Sequence, residues 1–263
     1  MQQERKRTLF AEERQAKIIK MLNTQGKLYV PDLCKIFNVS LATIRSDLRE
    51  LDAQGKLKRT HGGAIACEKA SFEQDTASKM VEANEEKKRI AQKAAEFVED
   101  GDTIALDCGT SIYELAKCLK PKKNLTIVTN DVKIMLLLEA EIDCEIILIG
   151  GNVRKGQFCC VGPMAVSDMN RYHVDKAFIA TNAFSLKEGF STPDINTAEI
   201  KKVMLSCATE TFMLCDSSKT SHINFVKFAT VKDIDVLITD DGLDESLLAK
   251  LKKNAPEMTV YCV

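Results

Sequence analysis

VSLATIRSDLRELDAQGKLKRTHGGA, Val39 to Ala64, is the stretch that decides how the first part of this chain folds. Ser40 has the short oxygen side chain that caps helices. After it, Leu41, Ile44, Leu48 and Leu51 recur every three or four residues, so the spacing predicts a helix running to about Ala53 with those residues on its buried face. Thr43, Arg45, Ser46, Arg49 and Glu50 then point elsewhere. Gly55 is the expected stop. KLKRT and the residues that follow read as a β-hairpin, with Gly62-Gly63 as its pliable part.

Working outward, EERQAKIIKMLNTQG predicts a short amphipathic helix through Ala16, Ile18, Ile19 and Leu22, ending near Gly26. Leu28-Tyr29-Val30 is β-prone. Pro31 suits the first turn of a second helix, PDLCKIF, and Asn38-Val39 make a tight turn before Ser40. Helix, helix, tight turn, helix, hairpin is the layout of a winged helix-turn-helix, with the helix-turn-helix at about 27–46. A helix of this kind fits the major groove of double-stranded DNA, and its outward side chains reach base edges. The candidate DNA contacts are Ser40, Thr43, Arg45, Ser46 and Arg49 on the helix, and Lys58, Arg59 and His61 on the hairpin. The plainer alternative is a three-helix domain with charged outer faces.

Charge supports the first reading. Residues 1–66 hold 13 Lys and Arg against 7 Asp and Glu, whereas the remainder holds 24 against 31, within a net charge of −1. A basic head on an acidic body suggests two domains, the head facing an anionic polymer. The ten cysteines include no C-x-x-C pair and no histidine at zinc-ligand spacing, which predicts buried thiols in a reducing compartment and no metal or other cofactor. Cys159 and Cys160, the adjacent pair, are expected on opposite faces of a strand. No apolar run approaches the roughly 20 residues that span a bilayer, and the charged N-terminus lacks a signal-peptide core. The expected location is the cytoplasm, away from membranes.

Residues 67–90 read as a linker and connecting helix, capped by Asn84. Ile90, Ala91, Ala94, Ala95, Phe97 and Val98 form the apolar side of that helix, and Asp100-Gly101-Asp102 is a turn. From 91 to 263, β-prone runs such as TIALD, LTIVT, CEIILIG, AFIAT, FMLCD and DVLITD alternate with helical ones such as YELAKCL and TAEIKKVMLSCA. That alternation predicts an α/β domain with an open, mostly parallel sheet, which takes ligands beyond the carboxyl ends of its strands. Polar residues gather there: Asp107, Gly109, Thr110 and Ser111; Asn130; Gly151 and Arg154; Asn182; Asp216 and Lys219. Each loop alone reads more readily as a capped helix start. Five such ends around one crevice point to a small polyol or sugar phosphate.

The opening stretch resembles the signature of the DeoR family of bacterial transcriptional regulators, a VS-x-x-T-I-R-R-D-L helix followed by L-x-G-x-L-x-R-x-H-G-G-A. It departs at Ser46, where the family usually has a second arginine. DGDTIALDCGTS, TIVTN, ILIGGNVR, VGPMA, VDKAFIATNAFSLKEGFSTP and DSSK also match family segments. The resemblance implies an effector domain similar in fold to ribose-5-phosphate isomerase, with Asp107, Gly109, Thr110 and Ser111 facing a phosphorylated sugar and Arg154 and Lys219 neutralising its phosphate. It implies a homo-oligomeric repressor of carbohydrate-metabolism genes, not an enzyme. The alternative is a sugar-phosphate isomerase or deaminase with an appended head, using Asp107, Asp216 and Glu199 for acid-base chemistry.

Overall fold

The computed structural model describes residues 9–25, 27–54, 56–66, 73, 76–220 and 222–263. The chain divides into two compact units, Met1–Phe72 and Glu73–Val263. The expected helix stops at Gly26 and Gly55 lie outside the described residues, as does much of the expected linker, 67–72 and 74–75.

The first unit runs α1 (Ala11–Gln25), β1 (Lys27–Tyr29), α2 (Val30–Phe37), α3 (Leu41–Ala53), β2 (Leu57–Thr60) and β3 (Gly63–Ala66). Pro31 sits in the first turn of α2, where a missing N–H has no intrahelical partner to lose. Asn38 closes α2 in the left-handed region, φ 51°, and Ser40 Oγ caps α3 by accepting from the Thr43 N–H at 3.1 Å. Ile18, Leu22, Leu33, Ile44, Leu48 and Leu51 form the core between the helices. The strands form an antiparallel sheet, β1-β3-β2.

Two expectations are corrected here. Leu41 is not in the core but 50% exposed, because the first turn of α3 stands clear of it. The buried stripe is instead Ile44, Asp47, Leu48 and Leu51, which follows i, i+3, i+4, i+7 spacing with an acid in it. Gly63 is also not a matter of pliability: a Cβ there would lie 2.0 Å from the Leu28 carbonyl oxygen. Only glycine lets β3 pack this closely on β1.

The second unit opens with α4 (Thr76–Val81) and α5 (Asn84–Ala95), then β4 (Thr103–Leu106), α6 (Thr110–Cys118), β5 (Leu125–Thr129), α7 (Val132–Glu141) and β6 (Cys144–Leu148). A short insertion follows: β7 (Asn152–Arg154), β8 (Cys159–Val161) and α8 (Pro163–Met169). The chain then crosses the sheet with β9 (Val174–Ala180), β10 (Ala183–Ser185), β11 (Gly189–Thr192), α9 (Ile195–Ser206), β12 (Ala208–Leu214), β13 (Val226–Ala229), β14 (Val236–Thr239), α10 (Glu245–Asn254) and β15 (Thr259–Cys262). The main sheet has seven strands in the order β15-β14-β12-β9-β4-β5-β6, and every neighbouring pair is parallel.

Both faces of that sheet are covered. Ile104, Leu106, Phe178, Phe212 and Leu214 face α5 and α6. Their neighbours in sequence, Ala105, Ala177, Ile179 and Met213, face α9 with Ala198, Ile200 and Met204. Alternation along each strand therefore gives two apolar faces, as a parallel sheet requires. β4, β5 and β6 build out one way and β9, β12, β14 and β15 the other, so the strand order reverses at β4/β9, where such sheets open a crevice.

The capping role expected of Asn84 falls to its neighbour. Ala83 holds the N-cap position in the left-handed region, φ 46°, with no side-chain cap. No described helix is long and apolar enough to cross a membrane.

Candidate functional site

The carboxyl ends of β4, β9 and β12 lie side by side and surround a cavity of about 60 Å³. From β4 come Cys108, Gly109, Thr110 and Ser111; from β9, Thr181 and Asn182; from β12, Asp216 and Lys219; from β7, Arg154. Gly109 is the N-cap residue of α6, so the first N–H groups of that helix have no intrahelical acceptor and offer a positive end to the cavity. Asp216 shapes the next turn: its Oδ1 accepts from the Ser218 N–H at 3.2 Å and from the Ser218 hydroxyl, which sets Lys219 at the rim.

Three expected residues lie elsewhere. Asp107 is fully buried beneath the cavity and pairs with Lys201, whose ammonium also donates to the Ala180 carbonyl at 2.9 Å. Its Oδ2 accepts from the Ala180 N–H at 3.0 Å, so it ties β4 to β9 rather than facing a ligand. Asn130 donates to the Cys160 carbonyl at 2.9 Å, stapling the end of β5 to β8. Gly151 is there for space: it has φ +139°, and a Cβ would meet the Val161 carbonyl oxygen at 2.7 Å. Glu199 of the enzymatic alternative is exposed and pairs with Lys202 one turn along α9.

Seven polar lining residues escaped sequence reading: Glu73, Thr76, Lys79, Lys87, Gln157, Thr197 and Lys201. Two left a signal. Lys87 falls on the α5 stripe of Ile90, Ala91 and Ala94, and Lys201 on the α9 stripe of Ala198, Met204 and Leu205. A lysine on a buried stripe needs a partner. Burial lowers the Lys87 pKa to about 8, and its ammonium donates to the Lys79 and Glu82 carbonyls at 2.7 and 2.6 Å. Burial also works against the charge on Lys201, but Asp107 outweighs it and holds that pKa above the ordinary lysine value.

Arg154 is the hub of the cavity wall. Its Nη1 donates to Thr197 Oγ1 at 3.0 Å, its Nη2 lies 2.9 Å from Glu73 Oε2, and its Nε is 3.6 Å from Asp194 Oδ1. The Nη2 contact is a close charge pair, and among the described residues Glu73 Oε2 is buried with no other donor. At the floor Cys108 and Cys159 are neighbours, and their interaction pushes Cys108 up and Cys159 down from the ordinary thiol range. The cysteine neighbour of Cys159 that matters is thus Cys108, not Cys160. Among the described residues no cluster of metal-ligating side chains occurs.

In the first unit, α3 and the hairpin present several of the expected side chains to solvent. Arg45, Arg49, Lys58, Arg59 and His61 are exposed, and so is Ser40. Thr43 and Ser46 are half-buried. Ser40 and Thr43 hydroxyls share a hydrogen bond at 2.9 Å, while Ser46 Oγ is 3.4 Å from Glu50 Oε1.

The model of the DeoR-like helix-turn-helix domain matches residues 14–70, and that of the DeoR C terminal sensor domain matches residues 82–241. The chain belongs to the DeoR family. It is a helix-turn-helix transcriptional regulator rather than an enzyme, in line with relatives that match along nearly their whole length. YulB of Bacillus subtilis, an uncharacterized HTH-type transcriptional regulator, is 34% identical over 94% of this chain and 95% of its own. The regulator GlpR of Haloferax volcanii is 35% identical over 88% and 91%. A putative aga operon transcriptional repressor of Escherichia coli O157:H7 is 31% identical over 96% and 95%. Among solved structures, ribose 5 phosphate isomerase A of Neisseria gonorrhoeae aligns over 52% of this chain and 53% of its own, with TM-score 0.38 and 19% identity. The assignment of this DeoR-family sensor domain as a doubly covered parallel sheet rests on its own strand order.

Proposed function

We propose that this DeoR-family protein is a homo-oligomeric repressor of carbohydrate-metabolism genes, released from its operator by a phosphorylated sugar bound in the sensor cavity. The observation that carries the reading is the charge of that cavity. Among the described residues, Lys79, Lys87, Arg154, Lys201 and Lys219 line it against Glu73 and Asp216, in a part of the chain where acids outnumber bases. An enclosed excess of cations beside a helix N-terminus favours a phosphate, and Asn182, Thr181 and Asp216 supply partners for sugar hydroxyls.

On the head, Arg45 and Arg49 lie one turn apart on the outer face of α3 and would reach base edges, while Lys58, Arg59 and His61 of the wing would contact phosphates. Ser40 and Thr43 sit at the helix start, where backbone N–H groups add to phosphate binding. The effector acts only through different affinities for the operator-competent and released forms. Thermal-shift screening with phosphorylated sugars and their dephosphorylated counterparts tests the ligand class, since a ligand of the folded state raises its stability. Stabilisation by phosphorylated members alone supports the proposal; equal stabilisation by both sets contradicts it.

A further inference from the structure

The cavity already holds an anion of its own. Glu73 Oε1 accepts from the Lys79 ammonium at 2.7 Å and from Asn182 Nδ2 at 3.1 Å, while Oε2 lies 2.9 Å from Arg154 Nη2. Two cations and an amide are the groups a phosphate monoester would choose. We propose that Glu73 occupies the effector's anion position in the ligand-free form, holds α4 against the cavity, and is displaced when a phosphate monoester takes Arg154 and Lys79. This rests on the reading of the cavity as the effector site and adds how binding there is signalled.

Three observations carry it. First, space: about 60 Å³ is free around these groups, enough for a water or two and far below the roughly 300 Å³ at the lower end of small-molecule pockets. A sugar phosphate enters only if a wall moves, and the hydrogen bonds and ion pairs described for Glu73 and α4 make them the candidate wall. Among the described side chains of α4, none belongs to the apolar clusters of the domain. Among the described residues, the contacts of α4 include the Thr76 N–H to the Gly156 carbonyl at 3.2 Å, Thr76 and Lys79 to Gln157 Oε1 at 3.5 and 3.2 Å, Lys133 Nζ against Met80 Sδ at 4.0 Å, and Lys87 at the far end.

Second, imperfect satisfaction. Burial works to raise the Glu73 pKa, but Lys79 and Arg154 outweigh it and keep the carboxylate ionised. Even so, among the described residues Oε2 is buried with no donor besides Arg154. A phosphate monoester brings up to two charges and three acceptor oxygens to the same donors, so it outcompetes a singly charged, half-satisfied carboxylate.

Third, position in the chain. Glu73 is the first residue of the sensor unit, and Phe72 the last of the DNA-binding unit. Displacing Glu73 acts on the segment through which the head is attached. The ligand then favours the displaced form because only that form offers it both cations, which is the differential affinity a switch requires.

The test uses the full-length protein and inorganic phosphate as probe, at constant ionic strength. Phosphate affinity is measured calorimetrically for wild type, Glu73→Gln and Arg154→Ala, and amide hydrogen exchange of residues 76–82 is followed in the wild type with and without phosphate. Glu73→Gln should bind phosphate about fivefold tighter or more, the lower end of ordinary coupling strengths, Arg154→Ala should bind it more weakly, and phosphate should speed exchange across 76–82 in the wild type. Wild-type binding that needs Arg154 but is unchanged or weakened in Glu73→Gln, with no faster exchange across 76–82, overturns the displacement and leaves the cavity's anion role standing. Absence of phosphate binding in both wild type and Glu73→Gln overturns the anion site itself, and the displacement with it.

Discussion

Arg14 of α1 grips Asp47 of α3 with a two-pronged contact, Nε to Oδ2 at 2.5 Å and Nη2 to Oδ1 at 3.0 Å, both side chains being buried. Asp47 is part of the family signature, yet it faces inward. Its work is to hold the recognition helix at a set angle on α1, so that Arg45 and Arg49 project outward. The hydrogen bond to Asp47, with its charge, keeps the Arg14 pKa above its ordinary value against the effect of burial.

Removing one partner of such a pair leaves a buried charge unpaired. Asp47→Ala should destabilise the DNA-binding unit by about 3 kcal/mol and weaken operator binding, without touching phosphate binding. Calorimetric unfolding of the full chain would detect the loss. A double replacement, Arg14→Met with Asp47→Leu, should recover much of it.

The same logic applies at the floor of the sensor domain. Asp107 and Lys201 are both nearly inaccessible and paired. Asp107→Asn should cost about 3 kcal/mol or more in denaturant unfolding of the sensor domain, whereas a ligand-contact role alone would leave stability nearly unchanged.

Ser46 stands where the family usually carries arginine. It is half-buried beside Glu50, whose other oxygen accepts from Gln15 Nε2 at 2.7 Å. Ser46→Arg should tighten operator binding and steepen the slope of log K against log salt by about one, the mark of one added phosphate contact. Fluorescence anisotropy across a salt series reads both; a changed operator preference at constant slope would place position 46 at a base edge instead.

If the cavity is the effector site, Lys87 should make effector binding depend on pH. Burial lowers its pKa to about 8 from the unfolded value of about 10.4. In the apo protein, the unfolded chain therefore holds the extra proton between those values, and stability contributed here rises with pH across that window. A bound phosphate favours charged Lys87, so effector affinity should fall as pH rises through about 8. Lys87→Met should flatten that profile above the phosphate's own titration.

Lys219 sets at the cavity rim by way of the Asp216 cap. Lys219→Ala should weaken the effector response and spare operator binding. Parallel titrations of effector and operator check this; an unchanged effector titration removes Lys219 from the site.

Much of this was legible in the sequence because it rests on period and punctuation. The helix from Ser40, the hairpin turning before Gly63 and the strand-helix alternation of the sensor domain all follow from apolar spacing and turn and cap chemistry. What was not legible depends on tertiary neighbours. The Leu41 position obeys the helical period but lies in a turn that extends past the core. Asp107 and Asn130 occupy strand ends, where ligand contact and stapling between strands use the same residue types. Glu73 pairs locally with Lys79, but its place in the cavity wall comes from Arg154 and Asn182, 81 and 109 residues away. Short antiparallel additions such as β7–β8 and β10–β11, three or four residues each, are too brief for alternation to reveal.

The most direct test of the account is operator release. Duplexes selected by the protein from a random pool are titrated by anisotropy at fixed, moderate salt, with a phosphorylated sugar that stabilises the sensor domain and with its dephosphorylated form. The account predicts far tighter binding to the selected duplex than to a shuffled one, and loss of that binding with the phosphorylated sugar alone. Equal affinity for selected and shuffled duplexes, or operator binding indifferent to every stabilising sugar phosphate, would contradict it.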